Sequence, residues 1–370
     1  MNFGFSEEQE ELRRSVRRFL EDKSPSAEVR RLMETSEGYD TGVWKQMAQE
    51  LGLQSLAIPE SYGGAGFSYI ELCIVLEEMG RVLLCAPFFS SVCLAANAIL
   101  TAGDEATKAA LLPGIAAGER LATLAFTEDN GRWDVEGITL STDGKTISGT
   151  KSFVLDGHIA DTIIVVAREA GTSGANGIGF YLVDGDAPGL TRTQLQTMDT
   201  TRKQAKLTFA NTPVTKIGPG GAEALTKTLD LAAVALCAEM VGGAQLCLDM
   251  AVQYAKDRIQ FGRPIGSFQA IKHKCADMLL EVESAKSASY YAAWAAAEDN
   301  DELPVVAALA KAYCSEAYFH TTAENIQIHG GIGFTWEHDA HLYFKRAKTC
   351  ELLLGDATYH RELLAQRIGV

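Results

Sequence analysis

The sequence predicts an α+β chain in three consecutive segments: helices over residues 1–120, a β-rich stretch over 121–217, and helices again over 218–370. Three observations carry that reading. Apolar residues recur at three- and four-residue steps before Arg120 and after Glu223, short β-branched runs replace them in between, and Gly, Asp and Asn gather where the pattern changes. With 370 residues, 47% of them apolar, the chain can bury a large core.

In the first segment Ser6-Glu7-Glu8-Gln9 offers an N-cap followed by acids, and Leu12, Val16 and Phe19-Leu20 repeat at helix spacing. Further helices are expected over 43–53, 69–81 and 87–102, with a glycine-rich turn at 58–67. The middle segment reads as antiparallel strands over 121–127, 137–141, 146–148, 161–167, 177–183 and 204–209, with a hairpin tip at 169–176. After a boundary near 216–221, long helices are expected over 224–258, 267–298, 304–329 and 338–367. The first is apolar nearly all round from Leu231 to Leu248, as suits a helix buried on most sides.

The formal charge of −15 opposes binding to nucleic acid or anionic lipid. Eight cysteines stand singly among apolar residues, without CxxC pairs or zinc-type histidine spacing, so they read as reduced core thiols and no metal site is expected. No secretory signal follows Met1 and every long apolar run carries Gly and an acid, so a cytoplasmic protein without a membrane span is expected. Rossmann, P-loop and G-x-S-x-G patterns are missing from the sequence.

Two stretches concentrate chemistry. Arg258-Ile259-Gln260-Phe261-Gly262-Arg263-Pro264 ends one helix and turns, and Ser267-Phe268-Gln269 starts the next, presenting a guanidinium beside an aromatic ring. That combination suits a ligand with phosphates and ring faces; Arg258 alone would equally suit a helix-end ion pair. The second stretch is Gln327-Ile328-His329-Gly330-Gly331-Ile332-Gly333-Phe334, where glycines let a ligand approach backbone N–H groups.

Together and in this order, the two stretches resemble the C-terminal motifs of acyl-CoA dehydrogenases, flavin enzymes that desaturate acyl-CoA thioesters, and the likeness extends over essentially the whole chain. It implies an N-terminal helical domain, a central antiparallel β domain and a C-terminal four-helix bundle. It also implies FAD, an acyl-CoA substrate, an electron-transferring flavoprotein as acceptor, and a homotetramer or a heterotetramer with a homologous chain. Residues matching Arg258, Gln260, Phe261, Gln269, Gln327 and Gly331 contact, in the family, the FAD held mainly by a neighbouring subunit. Leu124-Ala125-Phe126-Thr127-Glu128 resembles the first flavin-binding strand, giving Phe126 and Thr127 as cofactor contacts. Gly149-Thr150-Lys151-Ser152-Phe153-Val154-Leu155 resembles the segment that usually presents a Trp and a Thr to the flavin; here those places hold Phe153 and Leu155.

The family's base is where the resemblance breaks. Removing an α-proton while hydride leaves the β-carbon needs a carboxylate within hydrogen-bond reach of the α-carbon. The usual position of that Glu holds Leu354, and the alternative one on the helix 224–258 holds Ala232, with Ala233 in place of a common Arg. Two acids remain as candidates. Glu239 is a lone acid in an apolar helix, yet seven residues, ~10 Å, beyond Ala232; it suits an ion pair as well as a base. Asp356 lies two residues from position 354 and suits a helix-end carboxylate as well. Bacterial heteromeric members of the family, associated with steroid side-chain thioesters, look similar in having one subunit without the Glu.

Overall fold

Ser6 starts the first helix as its motif predicts: its hydroxyl accepts from the Gln9 N–H while the Gln9 side chain accepts from the Ser6 N–H, and α1 runs Glu7–Lys23. The computed structural model describes residues 4–370. After α1 come α2 (Ser26–Met33), α3 (Thr41–Gln49) and α4 (Tyr69–Arg81). The helix expected over 87–102 is π-helical from Phe89 to Ala96 and regular only in α5 (Asn97–Ala102). An Asp104-capped α6 (Glu105–Ala116) follows.

The middle of the chain supplies β1 (Ala122–Ala125), β2 (Ser141–Thr142), β3 (Thr146–Leu155), β4 (Thr162–Glu169), β5 (Ile178–Asp184), β6 (Leu190–Gln194), β7 (Gln204–Pro213) and β8 (Thr215–Lys216). The C-terminal helices are α7 (Ala222–Asp257), α8 (Gln269–Ala297), α9 (Leu303–His329), α10 (Ala340–Leu352) and α11 (Ala357–Ile368), with a two-strand hairpin, β9 (Ile259–Gln260) and β10 (Arg263–Pro264), between α7 and α8. The single helix expected over 338–367 is therefore two, and the four helical stretches become five helices.

These elements form two compact units. One contains residues up to Arg30, Tyr69–Leu84 and Ala233–Val370; the other contains Arg31–Ser68 and Cys85–Ala232. The grouping divides the N-terminal helices between the units.

In the unit bearing the sheet, the strand order is β6-β7-β3-β2-β4-β5-β8, with β1 also paired to β4. Most pairs are antiparallel, but β1 and β2 both run parallel to β4, a departure from the wholly antiparallel expectation. Ile163, Val165, Tyr181, Val183, Leu207 and Phe209 fill the core on one face. The β3–β7 register shifts between Lys151 and Val154, so a bulge falls at Ser152-Phe153.

In the helical unit, α4 and α7 approach until their backbones touch. A Cβ added to Gly80 would overlap the Glu239 carbonyl oxygen, and one added to Gly242 would overlap that of Glu77. Helix α7 is long and apolar enough to cross a membrane, yet 83% of its most apolar window is buried inside the protein.

Candidate active site

The bulge in β3 re-aims one side chain. Phe153 adopts φ 57°, outside the ordinary strand region, and stands 44% exposed, whereas Ser152 and Val154 on either side are buried. Of the four residues expected to wall a flavin from this unit, only Phe153 is exposed. Phe126, Thr127 and Leu155 are buried, and the Leu155 carbonyl accepts from Thr123 Oγ1 at 2.6 Å.

Next to these residues lies a charged pair that the sequence reading did not single out. Lys151 Nζ, fully buried, donates to Glu128 Oε1 at 2.7 Å and to the Phe126 carbonyl at 3.0 Å. Glu128 also accepts from the Thr139 and Leu140 N–H groups. Burial pulls the Lys151 ammonium down to about 8 against the pull of Glu128. Burial acts to raise the Glu128 carboxyl, but Lys151 and the hydrogen bonds outweigh it and hold it below the usual carboxylate range. Glu128 thus ties the end of β1 to β3 and is not a free base.

In the helical unit, the turn between β9 and β10 places Phe261 and Gly262 at φ 52° and 77°, both left-handed, as a two-residue hairpin turn requires. The tip holds Phe261 out at 91% exposure, and Arg258, Gln260 and Gln269 around it are exposed as well. At the end of α9, Gln327, Gly330 and Gly331 are exposed too. Gly330 takes φ 62°, and a Cβ on Gly330 or Gly331 would meet nothing within 4 Å. The backbone there is open to an incoming group, and the six residues expected to serve a neighbour's cofactor are all accessible.

The base candidates look different. Glu239 Oε1 accepts from Arg346 Nη1 of α10 at 2.7 Å, with 6% and 3% of the two side chains exposed. A carboxylate so engaged is an ion-pair partner in this structure, the alternative role the sequence offered for it. Asp356 is the N-cap of α11, accepting from the Tyr359 N–H at 2.8 Å, the helix-end role its position also suits.

Position 354 sits on the corner that splits the expected last helix. Leu354 adopts φ 64° and Gly355 φ 100°, so the chain leaves α10 before Asp356 restarts it. A left-handed leucine persists only when its surroundings hold it. Lys311 of α9, fully buried, donates to the Glu351 and Gly355 carbonyls at 3.1 and 2.8 Å and to Ser315 Oγ at 3.0 Å. His360 Nε2 donates to the Leu354 carbonyl at 2.9 Å. Burial, then the nearby Lys311, push His360 down to about 3, which keeps it neutral.

Lys311 has only neutral hydrogen-bond partners, and burial lowers it from 10.5 to about 8. The unfolded chain therefore binds the proton more tightly, and the cost of burying the charge applies in full below pH 8 and fades as pH rises toward the unfolded value. Wild type should gain about 3 kcal/mol over Lys311→Met between roughly pH 8 and 10.5. Urea unfolding of both proteins across that range checks it; a constant difference would mean that burial does not shift the amine's titration.

Comparisons with known proteins match three family models along the chain. They are the acyl-CoA dehydrogenase N-terminal domain over residues 6–119, the middle domain over 123–212 and the C-terminal domain over 220–369. The chain belongs to the acyl-CoA dehydrogenase family. Among curated relatives, the acyl-CoA dehydrogenase IpdE2 of Mycolicibacterium smegmatis is 37% identical over 95% of each chain. Among solved structures, a variant of the Tcur3481-Tcur3483 steroid ACAD is similar with a TM-score of 0.87 and 32% identity over 98% of each chain. The ChsE4-ChsE5 complex from Mycobacterium tuberculosis matches with a TM-score of 0.90 and 28% identity, covering 100% of this chain and 99% of the other. This acyl-CoA dehydrogenase homologue thus has the family fold with Leu354 at the corner.

Proposed function

We propose that this chain is a subunit of a heteromeric, FAD-dependent acyl-CoA dehydrogenase whose homologous companion supplies the catalytic Glu. One observation carries the reading. The carboxylates that could replace the missing base are engaged elsewhere, Glu239 by Arg346 and Asp356 by the α11 N-terminus, while the residues that would reach a neighbour's cofactor stay exposed. The two-chain complexes among the solved relatives support it.

The cofactor is FAD, and it supplies the hydride acceptor when bound. Arg258 would pair with its diphosphate, Phe261 would pack on a ring face, and the open backbone at Gly330-Gly331 would let N–H groups donate to it. The exposed Phe153 is the aromatic this chain would offer to a flavin of its own. An aromatic as bare as Phe261 is a costly surface for a lone chain and a good anchor for a subunit contact. The reaction is α,β-desaturation of an acyl-CoA, with electrons leaving to an electron-transferring flavoprotein in a bacterial cytoplasm. The three consecutive domains, 1–120, 121–217 and 218–370, are retained on this reading, in line with the extents of the family models.

The test is to purify the chain alone and co-expressed with a homologous chain that carries the Glu, then record visible spectra before and after adding acyl-CoA. Flavin bleaching confined to the co-expressed complex is the expected result. Bleaching by the chain alone would overturn the shared site, and the lack of flavin in both preparations would overturn the enzyme reading altogether.

A further inference from the structure

One face of α9 carries Lys311, Ser315, Tyr318, Thr322, Asn325 and His329 at three- and four-residue steps, all of them buried. Such a row stands out in a bundle core otherwise built mainly from alanine, leucine, valine, methionine and cysteine. Four of the six have protein partners. Lys311 and Ser315 bond each other and nearby carbonyls, Thr322 donates to the Phe319 carbonyl at 2.8 Å, and His329 Nδ1 donates to that of Asn325 at 2.8 Å.

The remaining two, and their neighbour Thr321, do not. Tyr318 Oη, Thr321 Oγ1 and both amide atoms of Asn325 lack a hydrogen-bond partner in the protein, although the three residues are at most 1% exposed. They stand together. Tyr318 and Asn325 are two turns apart, ~10 Å along the axis, with Thr321 between them. Across from them is α7. The Tyr318 hydroxyl lies against Gly243, where any Cβ would collide with it, and the Asn325 amide faces the Cys247 thiol, a weak partner one turn further on. Burial drives the Tyr318 hydroxyl well above its ordinary value, so it stays a neutral donor.

We propose that the seam between Tyr318, Thr321 and Asn325 of α9 and the Gly243–Cys247 turn of α7 is a buried-water site. The seam offers both hydroxyl donors and an amide with donor and acceptor ends, which is the mixed lining that ordered water needs and that an apolar void lacks. Gly243 contributes by being small: the Tyr318 hydroxyl and ring edge occupy the space that a side chain there would need. With water in the seam, the polar face of α9 is hydrogen-bonded from Lys311, which holds the corner at Leu354, to His329, which precedes the open glycine turn. Water then adds to the Ser315 Oγ–Met240 Sδ bond that already links α9 to α7.

A crystal structure of the full chain, alone or with its companion, at a resolution that shows ordered water tests this directly. The expected result is a density peak within hydrogen-bond distance of at least two of Tyr318 Oη, Thr321 Oγ1 and the Asn325 amide atoms. A dry seam, or these side chains rotated to bond each other, would overturn it. Thermal unfolding of Asn325→Leu gives an independent readout. Leucine would expel the water and leave Tyr318 and Thr321 without a partner, so Tm should fall; a Tm that rises, as expected when leucine fills a dry space, also overturns the proposal.

Discussion

Arg346→Leu lowers the stability of the chain by about 3–5 kcal/mol, because the Glu239 carboxylate stays buried after its guanidinium partner is gone. A drop in the urea midpoint at unchanged slope is the measurement. The pH dependence identifies the cause. Without Arg346, burial raises the folded carboxyl above its unfolded value, so the unfolded chain loses its proton first and the deficit deepens as pH climbs above about 4.3. Replacing both partners with methionine should recover most of the loss, since a buried pair contributes little net stability over well-packed apolar residues. A deficit under 1 kcal/mol in the single variant, flat with pH, would show that the pair is not what holds α7 to α10.

The second large effect concerns turnover. On the heteromeric reading proposed above, in a complex of this chain with a companion carrying the base, Asp356→Ser keeps an N-cap oxygen while removing the carboxylate, and Glu239→Met with Arg346→Met removes the ion pair as a unit. Both should leave kcat within about threefold of wild type, whereas Glu→Gln at the companion's base should lower it by about 10²–10⁴-fold, the usual contribution of a positioned base. Single-turnover flavin bleaching separates the chemical step from product release. A hundredfold loss in either variant of this chain, with folding intact, would return the base to it.

Much of this was legible in the sequence, for reasons that differ by element. Tyr69–Arg81 was read at its observed limits because its apolar positions repeat cleanly at helix spacing. The strand β6 was missed because Leu190-Thr191-Arg192-Thr193-Gln194 is exposed or half-buried throughout and shows no apolar alternation. The corner at 354 was missed although Gly355-Asp356 is a stop followed by a cap; the left-handed residue is a leucine, which carries no such signal, and the lysine that holds it comes from another helix. Arg346 lies 107 residues from Glu239, so no local pattern announces the pair. The exposed residues of the 258–269 and 327–331 stretches, by contrast, sit in short contiguous motifs, which is why a reading along the chain singles them out.

The glycine contact between α4 and α7 fixes how closely the two helices pack. At Gly80 and Gly242 each backbone rests on a carbonyl of the other helix, which leaves no thickness between them for a methylene. A side chain at either position would push the two backbones apart, so the α4–α7 spacing depends on both residues staying glycine. Widening that contact would take a displacement of whole helices, not a change of rotamer, so the spacing of this pair is written in its backbone.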